Sequence, residues 1–227
     1  MTPDLARRRL LAASCVTAPA FGLVAALATP ALATTAHDEI HAIAASPDRF
    51  YVYGLCILLS SMLLVPAVFA LVDLVRPHRP WAALVTGIVA QIGMLVAVGD
   101  SASELVFWQM GAHRTDLPAM AAVTDGFETA PGTSLIYSIG GLCTLVGVLV
   151  LGVLLWRTQA LSWWAAAALP IGTLVNILGF SVASRGLLAG SYVVLALALV
   201  PAAAVVRGAE RVPPTGSRRP MSAVAEG

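Results

Sequence analysis

Two long apolar runs with a short arginine-bearing break between them decide the fold. The segment reads YVYGLCILLSSMLLVPAVFALVDLV (51–75), RPHRP (76–80) and WAALVTGIVAQIGMLVAVGDSASELVFW (81–108). A helix needs about 20 apolar residues to cross a hydrocarbon core of about 30 Å, so each run is long enough to span a membrane. The break is short, which predicts that the two spans form an antiparallel hairpin.

The same pattern continues along the whole chain of 227 residues, 59% of which are hydrophobic and 11% charged. Ordinary soluble domains carry about 25% charged residues, so this composition cannot cover a soluble surface. We predict an all-α, polytopic transmembrane bundle over residues 1–206, followed by a disordered, proline-rich cytoplasmic tail at 207–227. The six spans are predicted at about 10–33, 51–75, 81–108, 133–156, 162–183 and 187–206.

The arginines predict the orientation of these spans. All thirteen basic residues are arginine, and with a cytoplasmic N-terminus only Arg49, Arg114 and Arg185 fall on the outer side. Cytoplasmic loops carry an excess of Lys and Arg, so both termini are predicted to be cytoplasmic, in the bacterial inner membrane. Tryptophans flank the predicted inner boundary, as in an interfacial aromatic belt, at Trp81, Trp156, Trp163 and Trp164.

The N-terminus allows a second interpretation. Residues 6–11, ARRRLL, precede an apolar run and Ala31-Leu32-Ala33, which resembles a cleavable signal peptide of the twin-arginine kind. The run is about 24 residues long, whereas the apolar core of a signal peptide has about 7–15. We therefore expect an uncleaved first helix, and cleavage near Thr34 is the alternative.

Two carboxylates in the third span are the candidate catalytic residues. Asp100 and Glu104 are four residues apart, a spacing that places both on one face of a helix near the outer edge of the hydrocarbon. Ionisable groups in spans usually find a partner, and topology favours Arg185, with Arg49 and Arg114 as alternatives. One interpretation is a structural ion pair that ties the third helix to the fifth and sixth. The other is a catalytic or transport role.

Three aromatic residues would complete an enzymatic site. Phe107, Trp108 and Tyr137 are candidate binding residues whose ring faces would stabilise a carbocation after Asp100 or Glu104 protonates a lipophilic substrate. Arg185 is the fourth candidate binding residue, as the counter-ion of the carboxylates.

A histidine pair is the candidate metal site. If the segment is helical, His37 and His41 lie on one face, a spacing that can bind zinc. The zinc-protease motif H-E-x-x-H requires Glu after the first His, and that position is Asp38. His113 is the only other histidine in an outer loop. Together with Asp100 and Glu104, these histidines could form a metal site at the outer surface. Because they lie in different segments, we instead expect solvated loop histidines, with no metal and no cofactor.

Polar residues inside the spans are expected to form hydrogen bonds between helices. They are Ser60, Ser61, Gln91, Thr144 and Asn176. At the inner end of the second span, Asp73 and Arg76 are spaced for a local pair at i, i+3.

Several short segments resemble a pattern in uncharacterised multi-span membrane proteins of high-GC bacteria. They are Pro47-Asp-Arg-Phe50, Leu64-Val-Pro-Ala67, Ala119-Met120, Ala130-Pro-Gly132 and Val153-Leu-Leu-Trp-Arg157. The resemblance covers most of residues 10–206 and implies this architecture, without an activity. The layout of acids near aromatics is also similar to that of small integral-membrane terpene cyclases, although no motif of theirs matches.

Three classes of function follow from these patterns. The first is an accessory or small-ligand-binding protein with an acidic cavity at the outer leaflet. The second is a membrane enzyme that protonates an isoprenoid-like substrate, and the third is a proton-coupled carrier. Expected partners are the lipid bilayer and a lipophilic small molecule. Nucleic acid is not expected, and self-association is left open.

Overall fold

The computed structural model of the protein describes residues 2–30, 32, 35–112 and 116–208. Within these ranges it contains eight α-helices and no strand, which confirms the all-α prediction. Of the predicted tail at 207–227, Arg207 and Gly208 belong to the last helix, and residues 209–227 lie outside these ranges, as do the loop residues His113 and Arg114. The helices are α1 (Pro3–Ala28), α2 (Ala36–Ala45), α3 (Pro47–Val75), α4 (Pro80–Ala112), α5 (Leu117–Thr129), α6 (Pro131–Arg157), α7 (Trp163–Ser181) and α8 (Arg185–Gly208).

Six of these helices are long and apolar enough to cross a membrane: α1, α3, α4, α6, α7 and α8. Their boundaries differ from the predicted ones where proline is involved. Helices α3 and α6 begin with Pro47 and Pro131, a few residues before the apolar runs, because a first-turn residue needs no N–H donor. Helix α1 ends at Ala28, before the predicted limit, since Pro30 disfavours helical conformation in the residue preceding it.

The two remaining helices, α2 and α5, form the predicted outer loops. Both begin at a capping side chain. Thr35 accepts a hydrogen bond from the Asp38 amide at 3.2 Å, and Asp116 accepts one from the Ala119 amide at 3.1 Å. Such caps satisfy amides that have no partner inside the helix. The sequence patterns led us to consider α2 as a helix, but not α5.

The six long helices form a closed ring in the order α1, α3, α4, α6, α7, α8. The predicted hairpins α3–α4 and α6–α7 are each in contact, and α8 closes the ring against α1. Helices α4 and α6 approach each other closely, since a Cβ added to Gly147 would lie 2.7 Å from the Ala90 backbone. Small residues let two membrane helices approach this closely.

Polar side chains join the helices, as predicted for four of the five residues; among the described residues Thr144 has no such bond. The Ser60 hydroxyl donates to the Ala18 carbonyl at 2.8 Å, and Ser61 and Ser101 share a hydrogen bond of 2.7 Å. Gln91 donates to the Val65 carbonyl, and Asn176 donates to Ser191. These bonds satisfy polar groups that lipid cannot hydrate, although the buried Gln91 Oε1 has no partner among the described residues.

Charge separates the two ends of the ring. The arginine-rich end consists of the first turns of α1, α4 and α7 and the last turns of α3, α6 and α8. The acidic end is the opposite one, which α2 and α5 cover. Described arginines of the arginine-rich end are Arg7, Arg8, Arg9, Arg76, Arg79, Arg157 and Arg207. Described acids of the acidic end are Asp38, Glu39, Asp48, Asp100, Glu104, Asp116, Asp125 and Glu128.

One ion pair at the arginine-rich end differs from the prediction. Asp73 does not pair with Arg76 on its own helix. Its carboxylate instead accepts a hydrogen bond from the Arg7 guanidinium of α1. The reason is that α1 packs against α3, so the long Arg7 side chain reaches Asp73 from the neighbouring helix.

Candidate functional site at the acidic end

Glu104 lies on the face of α4 that packs against α3. The Tyr53 hydroxyl of α3 donates a hydrogen bond to Glu104 Oε1 at 3.2 Å. The second carboxylate oxygen, Oε2, is buried and has no hydrogen-bond partner among the described residues. A buried polar atom without a partner is costly, and each one in a native structure requires an explanation.

Asp100 faces a different neighbour. It lines a cavity of about 200 Å³ between α4 and α6, together with Tyr137 and Thr144. Tyr137 and Asp100 line the same cavity, from α6 and α4 respectively. The spacing i, i+4 places the two acids one above the other on α4. Four residues make slightly more than one turn of a helix with 3.6 residues per turn, so their directions differ by about 40°. The turn is sufficient for Asp100 to face α6 while Glu104 faces α3.

Two further carboxylates complete a cluster of four. Glu39 of α2 and Glu128 of α5 lie within electrostatic range of Asp100 and Glu104. Burial raises the pKa of Glu39 from 4.5 to about 7, and repulsion from Glu128 and Asp100 adds to this effect. The pKa of Glu128 is also raised, first by burial and then by Asp125 and Asp100. We call Glu39, Asp100, Glu104 and Glu128 the acid cluster.

No arginine that the structure describes forms an ion pair with the acid cluster. Arg49 and Arg185 belong to the same end, and both are exposed. The structure shows an ion pair between Arg7 and Asp73, and His37 Nδ1 lies 3.8 Å from Asp38 Oδ1. The expected pair between Arg185 and the acids of α4 is therefore absent. The ring explains why, since α8 packs against α1 and α7 and does not contact α4.

The aromatic residues predicted to surround the acids have other contacts. The Phe107 ring meets Phe127 of α5 edge-on, with centroids 6.0 Å apart. The Trp108 ring packs on Tyr51, and its Nε1 donates to the Pro47 carbonyl at 3.0 Å. Of the three predicted aromatics, Tyr137 lines the same cavity as Asp100.

The histidine pair is present on α2, as the spacing predicts for a helix. The rings of His37 and His41 lie with centroids 4.4 Å apart, and both residues are exposed. Across the described ranges no group of three His, Cys, Asp or Glu side chains is arranged to hold a metal ion. His113, the third histidine considered, lies outside those ranges.

Sequence reasoning missed Tyr53, Glu39 and Glu128 as members of the site. Glu39 precedes the buried Ile40 on a short helix, so it could have been placed at the edge of an apolar face. Tyr53 and Glu128 carry no such signal. Their positions depend on how α3 and α5 pack against α4.

Comparison with protein-family models, with curated protein sequences and with solved structures finds no match to this chain. The resemblance to multi-span proteins of high-GC bacteria therefore stays a prediction. Function has to be inferred from the geometry of the acidic end.

Proposed function

We propose that the protein is a multi-pass protein of the bacterial inner membrane, with the arginine-rich end in the cytoplasm and the acidic end outside. The support is the sidedness of arginine, which orients membrane chains. Every arginine from Arg7 to Arg9, and also Arg76, Arg79, Arg157 and Arg207, belongs to one end. Reporter fusions after residues 78 and 160 would be active as cytoplasmic reporters, and a fusion after residue 124 would be active outside.

At the acidic end we propose a binding site for a small organic cation with an apolar body. The observation that carries this proposal is that four carboxyl groups converge without an ion-paired arginine among the described residues, beside a cavity lined by Asp100. A positive ligand group reduces the repulsion between these carboxylates. The Tyr137 ring beside Asp100 adds a surface on which a cation can rest.

The expected ligand is an organic cation and not a compact metal ion. Metal ions require several donor atoms that converge within about 2.0–2.6 Å of one point. The described carboxylates do not form such a group. Carboxylates that are distributed around a largely apolar cavity are better matched to a positive group on a larger apolar molecule. This arrangement matches the small-ligand-binding class with an acidic outer cavity.

The test uses phenyltrimethylammonium as the probe and tert-butylbenzene as its neutral control of the same shape. Asp100→Asn should weaken binding of the cation by about tenfold or more, because Coulomb attraction between opposite charges a few ångströms apart amounts to about 1–4 kcal/mol. Glu104→Gln, which keeps an acceptor for Tyr53, should weaken it less. Asp48→Asn, an exposed acid of the same end, is the matched control and should bind like the wild type. Equal binding of the cation and the neutral control would contradict the proposal.

A proton-coupled carrier is the second candidate, and the pKa of Glu39 favours it. At about 7, this group exchanges its proton near neutral pH. Cation binding would then release a proton, and uptake of the cation would strengthen as the pH rises through 7. Proton release on mixing, followed with a pH indicator in weak buffer, tests this coupling.

An enzyme that protonates a lipophilic substrate receives less support from the geometry. Such chemistry needs several aromatic ring faces around the acid, to stabilise the positive charge. Phe107 and Trp108 instead contact Phe127 and Tyr51. Conversion of an isoprenoid substrate by the purified protein, lost in Asp100→Asn or Glu104→Gln, would restore this class.

A further inference from the structure

A second cavity lies at the arginine-rich end, far from the acid cluster. It has a volume of about 450 Å³ and lies between the start of α1, the end of α3 and the end of α8. Its polar wall is formed by Arg7, Arg8, Arg76 and Asp73, and its apolar wall includes Leu74 and Val206. The cavity therefore combines a charged mouth with an apolar interior.

The charges of this cavity do not balance. Three guanidinium groups face it with one carboxylate, which leaves a net charge of +2 (three minus one). Asp73 pairs with Arg7, with side chains 28% and 58% exposed, so that arginine is held at the mouth. Arg8 and Arg76 form no ion pair within the described residues. Two positive charges are thus available to an anion.

We propose that this cavity binds the phosphate of an anionic phospholipid headgroup, with the lipid chains along Leu74 and Val206. Guanidinium groups match the geometry of phosphate oxygens and bind them through paired hydrogen bonds. Basic pockets between membrane helices on the cytoplasmic side are known to bind such headgroups. The exposed Trp81, Trp156 and Trp163 belong to the same end of the ring and mark the level of the membrane interface there.

This proposal is independent of the acidic end and of the ligand proposed there. It assigns to the charges at Arg8 and Arg76 a role beyond orientation in the membrane. Orientation alone requires arginines at this end but no cavity. A specific site requires that arginines lining the cavity contribute to lipid binding and that arginines outside it do not.

The test compares two arginines of one turn. Arg76 lines the cavity and Arg79, three residues later, does not. The purified full chain is titrated with dioleoyl phosphatidylglycerol in detergent, and bound lipid is counted by native mass spectrometry. Dioleoyl phosphatidylcholine, which has a phosphate but no net charge, is the lipid control. Arg76→Gln and Arg8→Gln should each weaken phosphatidylglycerol binding by about fivefold to tenfold, and Arg79→Gln should leave it unchanged.

Glycerol phosphate, added without lipid, distinguishes the two sources of a phosphate group. Failure of glycerol phosphate to displace the lipid identifies the site as one for lipid. Displacement at a similar concentration shows instead that a soluble phosphate compound binds, which overturns the lipid assignment. Equal loss in Arg76→Gln and Arg79→Gln would show non-specific attraction to the arginine-rich end, which overturns the specific site. Equal binding of both lipids would show that the net charge of the headgroup is not recognised, which also overturns it. A melting temperature equal to that of the wild type confirms that each variant folds.

Discussion

The two ends of the ring differ in how their acidic side chains are paired. At the arginine-rich end the described arginines are exposed, and the partly buried Asp73 has a partner in Arg7 on the neighbouring helix. At the acidic end four carboxyls approach each other, and one oxygen of Glu104 is buried without a partner. Exposed pairs of opposite charge contribute little to stability, whereas carboxylates that lie close together destabilise the fold through repulsion. The first arrangement orients a chain, and the second is typical of a binding site.

Removing the charge of Glu39 should have the largest effect on the free energy of unfolding. Its pKa is raised to about 7 in the fold, so the folded chain holds this proton more tightly than the unfolded chain. Its contribution to stability is full below about pH 4.5 and is lost as the pH rises through 7. We expect Glu39→Gln to be more stable than the wild type at alkaline pH, by on the order of 3 kcal/mol.

Melting in detergent, recorded between about pH 5 and pH 8, measures this difference. The groups that face Glu39 are Glu128 of α5, Asp100 and Glu104 of α4, and Tyr53 of α3. The wild type should lose stability across the range, and Glu39→Gln should lose less. Asp48→Asn should keep the wild-type dependence. A Glu39→Gln variant with unchanged pH dependence would show that Glu39 is not part of the cluster.

The difference in charge between the two ends could be predicted from the sequence, because it depends on local patterns. Apolar runs and arginines between them predict the six spans and the separation of charge between the ends. The membership of the cluster could not be predicted. Glu39 and Glu128 reach α4 only because α2 and α5 fold across the acidic end. Arg185 stays away because α8 closes the ring against α1, a long-range contact that no local pattern specifies.

Loss of the Tyr53 hydroxyl should have an intermediate effect. Tyr53→Phe leaves Glu104 Oε1 without its donor, so both oxygens of a half-buried carboxyl lack a partner. The expected cost is roughly 2 kcal/mol of unfolding free energy, typical of an unsatisfied buried acceptor. Tyr51→Phe, on the same helix, is the control and should have little effect. Equal melting temperatures for the two variants would remove Tyr53 from the site.

The smallest effect is expected at the opposite end. Asp73→Asn removes the ion pair with Arg7, in which the arginine is largely exposed. Exposed pairs contribute about 0.2–1 kcal/mol, and salt screens them. The melting temperature should fall slightly in low salt and match the wild type in about 1 M salt, where the screening length is about 3 Å. A decrease in melting temperature as large as that of Tyr53→Phe would show that the charges of the two ends contribute equally to stability.

The position of a bound cation tests the central claim most directly. Trimethylphenylarsonium has the shape of the proposed probe and carries an arsenic atom, which anomalous diffraction from crystals of the full chain can locate. The account predicts one arsenic peak at the acidic end, between α4 and α6 and beside Asp100 and Tyr137, which disappears in Asp100→Asn. An arsenic peak at the arginine-rich end, or one that persists in Asp100→Asn, would contradict it.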